Sequence, residues 1–155
     1  MASRHFSVWA AILLGGFVAG TIDIGAAALI NQVSPFLILH YIAAGLLGPK
    51  TALAGGASVA MLGLVLQWVM SLVIAAVFVF AARRMPQLTR NWLRWGIAYG
   101  VGIFFVMNYV VLPLSAAMAK PHLPHFTSAH FVENMLAMLL FGTIVAFFAS
   151  RNDRT

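Results

Sequence analysis

Apolar residues run along this chain in four long blocks, separated by stretches where polar, basic and proline residues gather. The first block, Val8 to Ile30, has 23 residues and makes about 34 Å of helix, enough to cross a bilayer with some tilt. Asn31 to Ser34 interrupts it, and Ser34 followed by Pro35 reads as an N-cap and first helical residue. The apolar run over 35–47 is too short to cross, and Gly48-Pro49-Lys50 stops it. It predicts an interfacial or re-entrant helix on one side of the membrane. Further spans are predicted at 58–80, 92–114 and 130–150. Arg83, Arg84, Pro86, Arg90 and Arg94 mark the loop before the third span, and Pro113 closes that span. The predicted fold is all-α, a polytopic membrane bundle of four transmembrane helices and one short non-spanning helix, in a single domain over residues 1–155. A signal peptide is the competing reading of the first block, with small residues at Ala26 and Ala28. The length of the run and its continuation into further spans favour a retained helix.

Composition agrees with a lipid solvent. The chain is 63% hydrophobic and 8% charged, whereas soluble domains carry about 25% charged residues. The net charge of +6 does not indicate nucleic acid, because the basic residues sit at the ends of apolar runs instead of forming a patch. Cysteine is absent, which excludes disulfides, thiolate metal sites and cysteine nucleophiles. Four spans put both termini on one side, together with Arg4, Arg83, Arg84, Arg90, Arg94, Arg151 and Arg154; Lys50 and Lys120 fall on the other. The positive-inside rule then makes both termini cytoplasmic, with Trp9, Trp92 and Trp95 as anchors at that boundary.

Small residues recur at helical spacing within the spans. Gly16, Ala19, Gly20, Asp23 and Ala27 share one face of the first, and Gly56, Ala60, Gly63, Gln67 and Ser71 share one face of the second. Gly96 and Gly100 stand four apart in the third. Such faces let helix backbones approach closely where the hydrophobic effect no longer drives association. The glycines are therefore expected to serve helix packing.

The polar members of these faces are the candidates for chemistry. Asp23 lies in the half of its span away from the termini, Asn108 at similar depth, Gln67 near mid-membrane and Glu133 in the first turn of the fourth span. A central Asp costs about 2.5 to 3.5 kcal/mol on insertion, and each Leu, Ile, Phe or Val returns about 0.3 to 0.6. The first span tolerates Asp23, but with little margin. An intramembrane carboxyl reads as functional by default, against the alternative of a structural hydrogen bond to Asn108, Gln67 or a backbone group. Apart from Arg94 in the first turn of the third span, no Lys or Arg lies inside any span, so proton or cation handling is the natural chemistry.

Histidines cluster before the fourth span. His122 and His125 flank Pro124, and an extended proline-rich geometry holds their imidazoles about 9 Å apart, too far for one ion. His130 and Glu133, at i and i+3 of a helix start, are better placed to share a ligand, and His40 on the short helix is a further candidate. These five residues match no zinc signature. A solvated loop and sensing of external pH are the competing readings. P-loop, nucleophile-elbow and HExxH patterns are absent, so no cofactor is called for and an enzyme acting on lipid or quinone ranks last.

The stretch Asn108-Tyr-Val-Val-Leu-Pro-Leu-Ser-Ala116 resembles a bacterial family of small inner-membrane proteins, the YagU-like proteins. Gly20-Thr-Ile-Asp-Ile24 and residues 38–63, with Gly45-Leu-Leu-Gly48 and the Gly55-Gly56 pair, add to the likeness, which covers residues 10–116. The resemblance implies a four-span bacterial inner-membrane protein and brings no activity or catalytic residues. Gln67 stands where those relatives carry histidine, which weakens a proton relay at that position. Two functions are expected: small-solute or proton/cation handling through Asp23, Gln67, Asn108, His130 and Glu133, or a non-catalytic accessory protein packing on a partner through its glycine faces. The expected partners are the lipid bilayer and a second copy or another membrane protein, with no nucleic acid.

Overall fold

Size, more than polarity, decides which face of each helix turns inward. In α4 (Ala57–Arg84), Ala60, Gly63, Gln67, Ser71, Ala75 and Val79 are buried, while Met61, Val65, Val69, Val73 and Val77 are exposed. Both faces are largely apolar, so burying the larger residues gains nothing in lipid. Close approach of small ones gains van der Waals contact. The computed structural model describes residues 7–118 and 127–151. Among these, α1 (Val8–Asn31), α4, the segment Trp92–Leu114 and α8 (Ser128–Ser150) are long and apolar enough to cross a membrane. The chain is thus a multi-pass, all-helical membrane protein, with spans within a few residues of the expected limits.

Local signals account for the helix ends. Ser7 caps α1, its Oγ accepting from Ala10 N at 3.1 Å, and Thr127 caps α8 in the same way through His130 N. Ser34 caps α2 (Pro35–Leu47), with Pro35 as the first helical residue. Gly48 ends α2 with φ of 79°, a conformation that costs glycine nothing. The chain then turns at once into the short α3 (Pro49–Ala54), where no helix was expected. α2 lies against the first turns of α4, and Ile38, Ala43 and Ala44 are its buried side. α5 (Gln87–Arg90) leads into α6 (Trp92–Val106) at the arginine-rich end of the bundle.

The third span is not uniform. α6 gives way to a π-helical turn over Met107–Val111, closed by Leu112 N–H donating to Met107 O, before the last turn α7 (Leu112–Leu114). Proline cannot donate, and its ring clashes with the carbonyl four residues back in a regular helix. A wider turn immediately ahead of Pro113 relieves that clash and rotates Asn108 relative to α6.

Four helix pairs carry the bundle: α6 on α8, α8 on α1, α1 on α4, and α2 on α4. Glycines set the closest approaches. A Cβ on Gly16 would come within 2.8 Å of Leu72 Cδ2, and one on Gly20 would run into Ser71 Oγ. On the other side, a Cβ on Gly96 would lie 2.8 Å from Thr143 Cα, and one on Gly100 2.7 Å from Leu139 Cα. Gly142 faces both from α8, while Gly63 receives Leu39 of α2. Gly56 corrects the expected packing set. It is the N-cap of α4 with open space around it, one turn before the close contacts begin. α4 and α6, which belong to successive spans, make at most marginal direct contact. They are bridged where Tyr99 Oη donates to Ile74 O at 2.7 Å and the Tyr99 ring rests on Phe78.

Overpacking a tight site costs about 1–3 kcal/mol. Gly63→Val, which meets the Leu39 backbone, should therefore lower the apparent melting temperature in detergent by several degrees. Gly56→Ala should leave it unchanged. Equal melting of the two variants would contradict the assignment of these glycines.

Candidate functional site

The gap between α4 and α6 is a cavity of about 230 Å³ walled by all four spans. Its lining follows helical spacing on each element. α1 contributes Asp23, Ala27 and Ile30; α4 contributes Gln67, Met70, Ser71 and Ile74. The third span adds Ile103, Met107, Asn108 and Leu112, and α8 adds Asn134, Ala137, Met138 and Phe141. Ile30, Leu112 and Asn134 all stand at the end opposite the arginines, while Ile74 with the Tyr99 bond lies toward the arginine-rich end. Asp23 is eight residues before the end of α1, about 12 Å along the helix.

Within this wall, Gln67 is the connecting group. It is buried, and its Nε2 donates to Asp23 Oδ2 at 2.8 Å and to Gly20 O at 3.4 Å. Ser71 Oγ donates to Gln67 O at 2.8 Å, one turn further along α4. Asn108 Nδ2 donates to Phe104 O at 2.9 Å, and Asn134 Nδ2 to His130 O at 2.8 Å, each reaching back one turn of its own helix. The structural partner of Asp23 is thus Gln67. Asn108 shares the cavity without bonding to it.

Two expectations about the polar site need correction. Glu133 is not among the cavity residues: it is exposed and pairs at 3.5 Å with His130, which is exposed as well. Asn134, the next residue, holds the fourth polar position. It lies on the stripe 134, 137, 138, 141 that continues into the buried Val145. Neighbouring residues in a helix lie about 100° apart, so one position separates cavity from surface. His40 is also reassigned. It is buried, with Nδ1 2.8 Å from Phe36 O and Nε2 3.1 Å from Gly55 O, so both ring nitrogens meet backbone carbonyls where α2 meets the α3–α4 junction. That engagement removes it from any ligand set with His130. Among the described residues, no three His, Cys, Asp or Glu side chains gather as a metal site. His122 and His125 lie outside the described residues.

Comparison of the chain with protein-family models, with curated proteins and with solved structures returns no match. The reading of this site accordingly stands on its geometry.

Removing Gln67 should destabilise more than altering Asp23. Gln67→Leu leaves Asp23 Oδ2 without its donor and removes the second bond to Gly20 O, which keeps its helical one, at about 1–3 kcal/mol for the unsatisfied group. Asp23→Asn keeps an oxygen for Gln67 Nε2 and should melt close to wild type. Thermal melts of the two variants in detergent check the ordering.

Proposed function

We propose that this chain is a bacterial inner-membrane protein, similar to the YagU-like proteins, that handles a small cationic solute or protons at the cavity between its spans. One observation carries the reading. A single carboxyl, Asp23, lines an intramembrane cavity together with four neutral polar side chains, Gln67, Ser71, Asn108 and Asn134. The basic side chains within the spans, Arg83, Arg84, Arg94 and His130, stand in their terminal turns, and none is among the cavity residues to pair with it. Ionisable groups at such depth are costly, and cavities that keep them are ordinarily ion or substrate pathways. The described arginines Arg83, Arg84, Arg90, Arg94 and Arg151 share one end of the bundle, which by the positive-inside rule faces the cytoplasm. The cavity end formed by Ile30, Leu112 and Asn134 then faces outside, and the Tyr99–Ile74 bond lies toward the cytoplasmic side.

The accessory-protein reading needs glycine faces free to receive a partner. Gly16, Gly20, Gly63, Gly96 and Gly100 are instead covered by the chain's own helices, and this favours the transport reading.

Proteoliposomes holding a pH-sensitive dye provide the test. Wild-type protein should carry an ion-driven flux above that of protein-free vesicles, and Asp23→Asn should lose most of it while melting normally. Absence of flux in the wild type, or full flux in Asp23→Asn, would contradict the proposal.

A further inference from the structure

We infer that the cavity is built for a small organic ammonium ion, its N–H groups held by Asp23, Asn108 and Asn134 and its carbon chain lying toward Ile103, Met138 and Phe141. The inference rests on the cavity being the solute site proposed above and adds the chemical class of that solute.

A count of hydrogen-bonding atoms carries the argument. Both N–H groups of the Gln67 amide are occupied, by Gly20 O and Asp23 Oδ2, and the Ser71 hydroxyl proton is given to Gln67 O. Asn108 and Asn134 each give one N–H to the carbonyl one turn back. Turning either amide over would set two oxygens against each other, so these orientations are fixed by their partners. The cavity side chains therefore keep Asp23 Oδ1, Gln67 Oε1, Asn108 Oδ1 and Asn134 Oδ1 as acceptors, while Ser71 is buried with its Oγ against Gly20. Against these stand only the second N–H groups of the two asparagines. A wall so rich in acceptors, with a carboxyl among them, suits a ligand that is positively charged and has several N–H donors, and it disfavours an anion.

The rest of the wall separates an organic cation from a bare metal ion. Calcium takes six to eight oxygen ligands, and magnesium takes six and keeps several of its waters. This cavity has one carboxyl group, and among the described residues no metal-ligating cluster forms. Most of its lining is aliphatic, aromatic or methionine, and Met70, Met107 and Met138 can adapt their unbranched chains around a short hydrocarbon. The volume, about 230 Å³, falls below the roughly 300–1,000 Å³ of sites for drug-sized ligands. A primary ammonium on a few carbons meets all three conditions.

Thermal melts of the full chain in lipid nanodiscs at neutral pH test this with n-butylammonium, n-butanol, tetramethylammonium and potassium as probes. Butylammonium should raise the apparent melting temperature saturably, by about 3 °C or more well above its Kd. Butanol lacks the charge, tetramethylammonium lacks the N–H donors and potassium lacks both donors and chain, so these should have little effect. Asp23→Asn should abolish the butylammonium shift, and Asn134→Ala should weaken the apparent affinity several-fold. Overturning results are no saturable shift with butylammonium, an equal shift with butanol or tetramethylammonium, or a shift that survives Asp23→Asn. An Asp23-dependent proton or potassium flux in proteoliposomes without a butylammonium shift would remove the ligand class and leave the transport proposal standing. Loss of both flux and shift would remove both.

Discussion

The bundle depends on the contact between α1 and α4 at Gly20, where one glutamine amide joins two helices. Lipid offers no hydrogen bonds, so a buried amide and a half-buried carboxyl find each other or a backbone group. Gln67 Nε2 serves Gly20 O and Asp23 Oδ2 together. It can do so because Gly20 presents no Cβ, which would run into Ser71 Oγ. The glycine sets how closely the helices approach, and the amide sets their register. The same economy of size holds α6 to α8 through Gly96, Gly100 and Gly142, with α8 packing on α1 in turn.

Packing in this order leaves α4 and α6 apart, and the cavity is a consequence of that. Tight glycine contacts draw α1 and α8 against their partners on either side, while α4 and α6 meet chiefly through Tyr99. The polar side chains inside are neither surplus nor fully mutually satisfied. Gln67, Ser71, Asn108 and Asn134 each donate to a carbonyl or carboxylate oxygen of the protein. The π turn belongs to this arrangement, since Asn108 lies within it and lines the cavity. Such turns are frequent at functional sites.

The spans were legible because each is a block of about 20 apolar residues bounded by Arg, Pro or a capping side chain. The short helix was legible from Ser34 and Pro35. The inward faces were legible from small residues at steps of three and four, and those faces named Asp23 and Gln67. The errors share one cause, which is reasoning from residue chemistry where register decides. Glu133 drew attention by its charge, while the neutral Asn134 lay on the stripe leading to Phe141 and Val145. Gly56 fits the spacing of its face but stands at the helix cap, before close packing begins. His40 suggested a ligand, but its two nitrogens are taken up by Phe36 O and Gly55 O. The gap between α4 and α6 has no local signature, since it follows from which non-adjacent helices pack together.

The proposed site requires an aqueous cavity that reaches Asp23 from the end opposite the arginines. Because the chain has no cysteine, single cysteines placed in it can be read without background. Ala137→Cys lines the cavity, and Leu136→Cys and Leu140→Cys lie on the exposed, lipid-facing side of the same helix. Thiols react as thiolates, which form in water and not in hydrocarbon. With aminoethyl methanethiosulfonate applied from that end, the cysteine at 137 should react much faster than those at 136 and 140. Equal, slow reaction at all three positions would mean that the cavity is closed and dry, and would contradict the account.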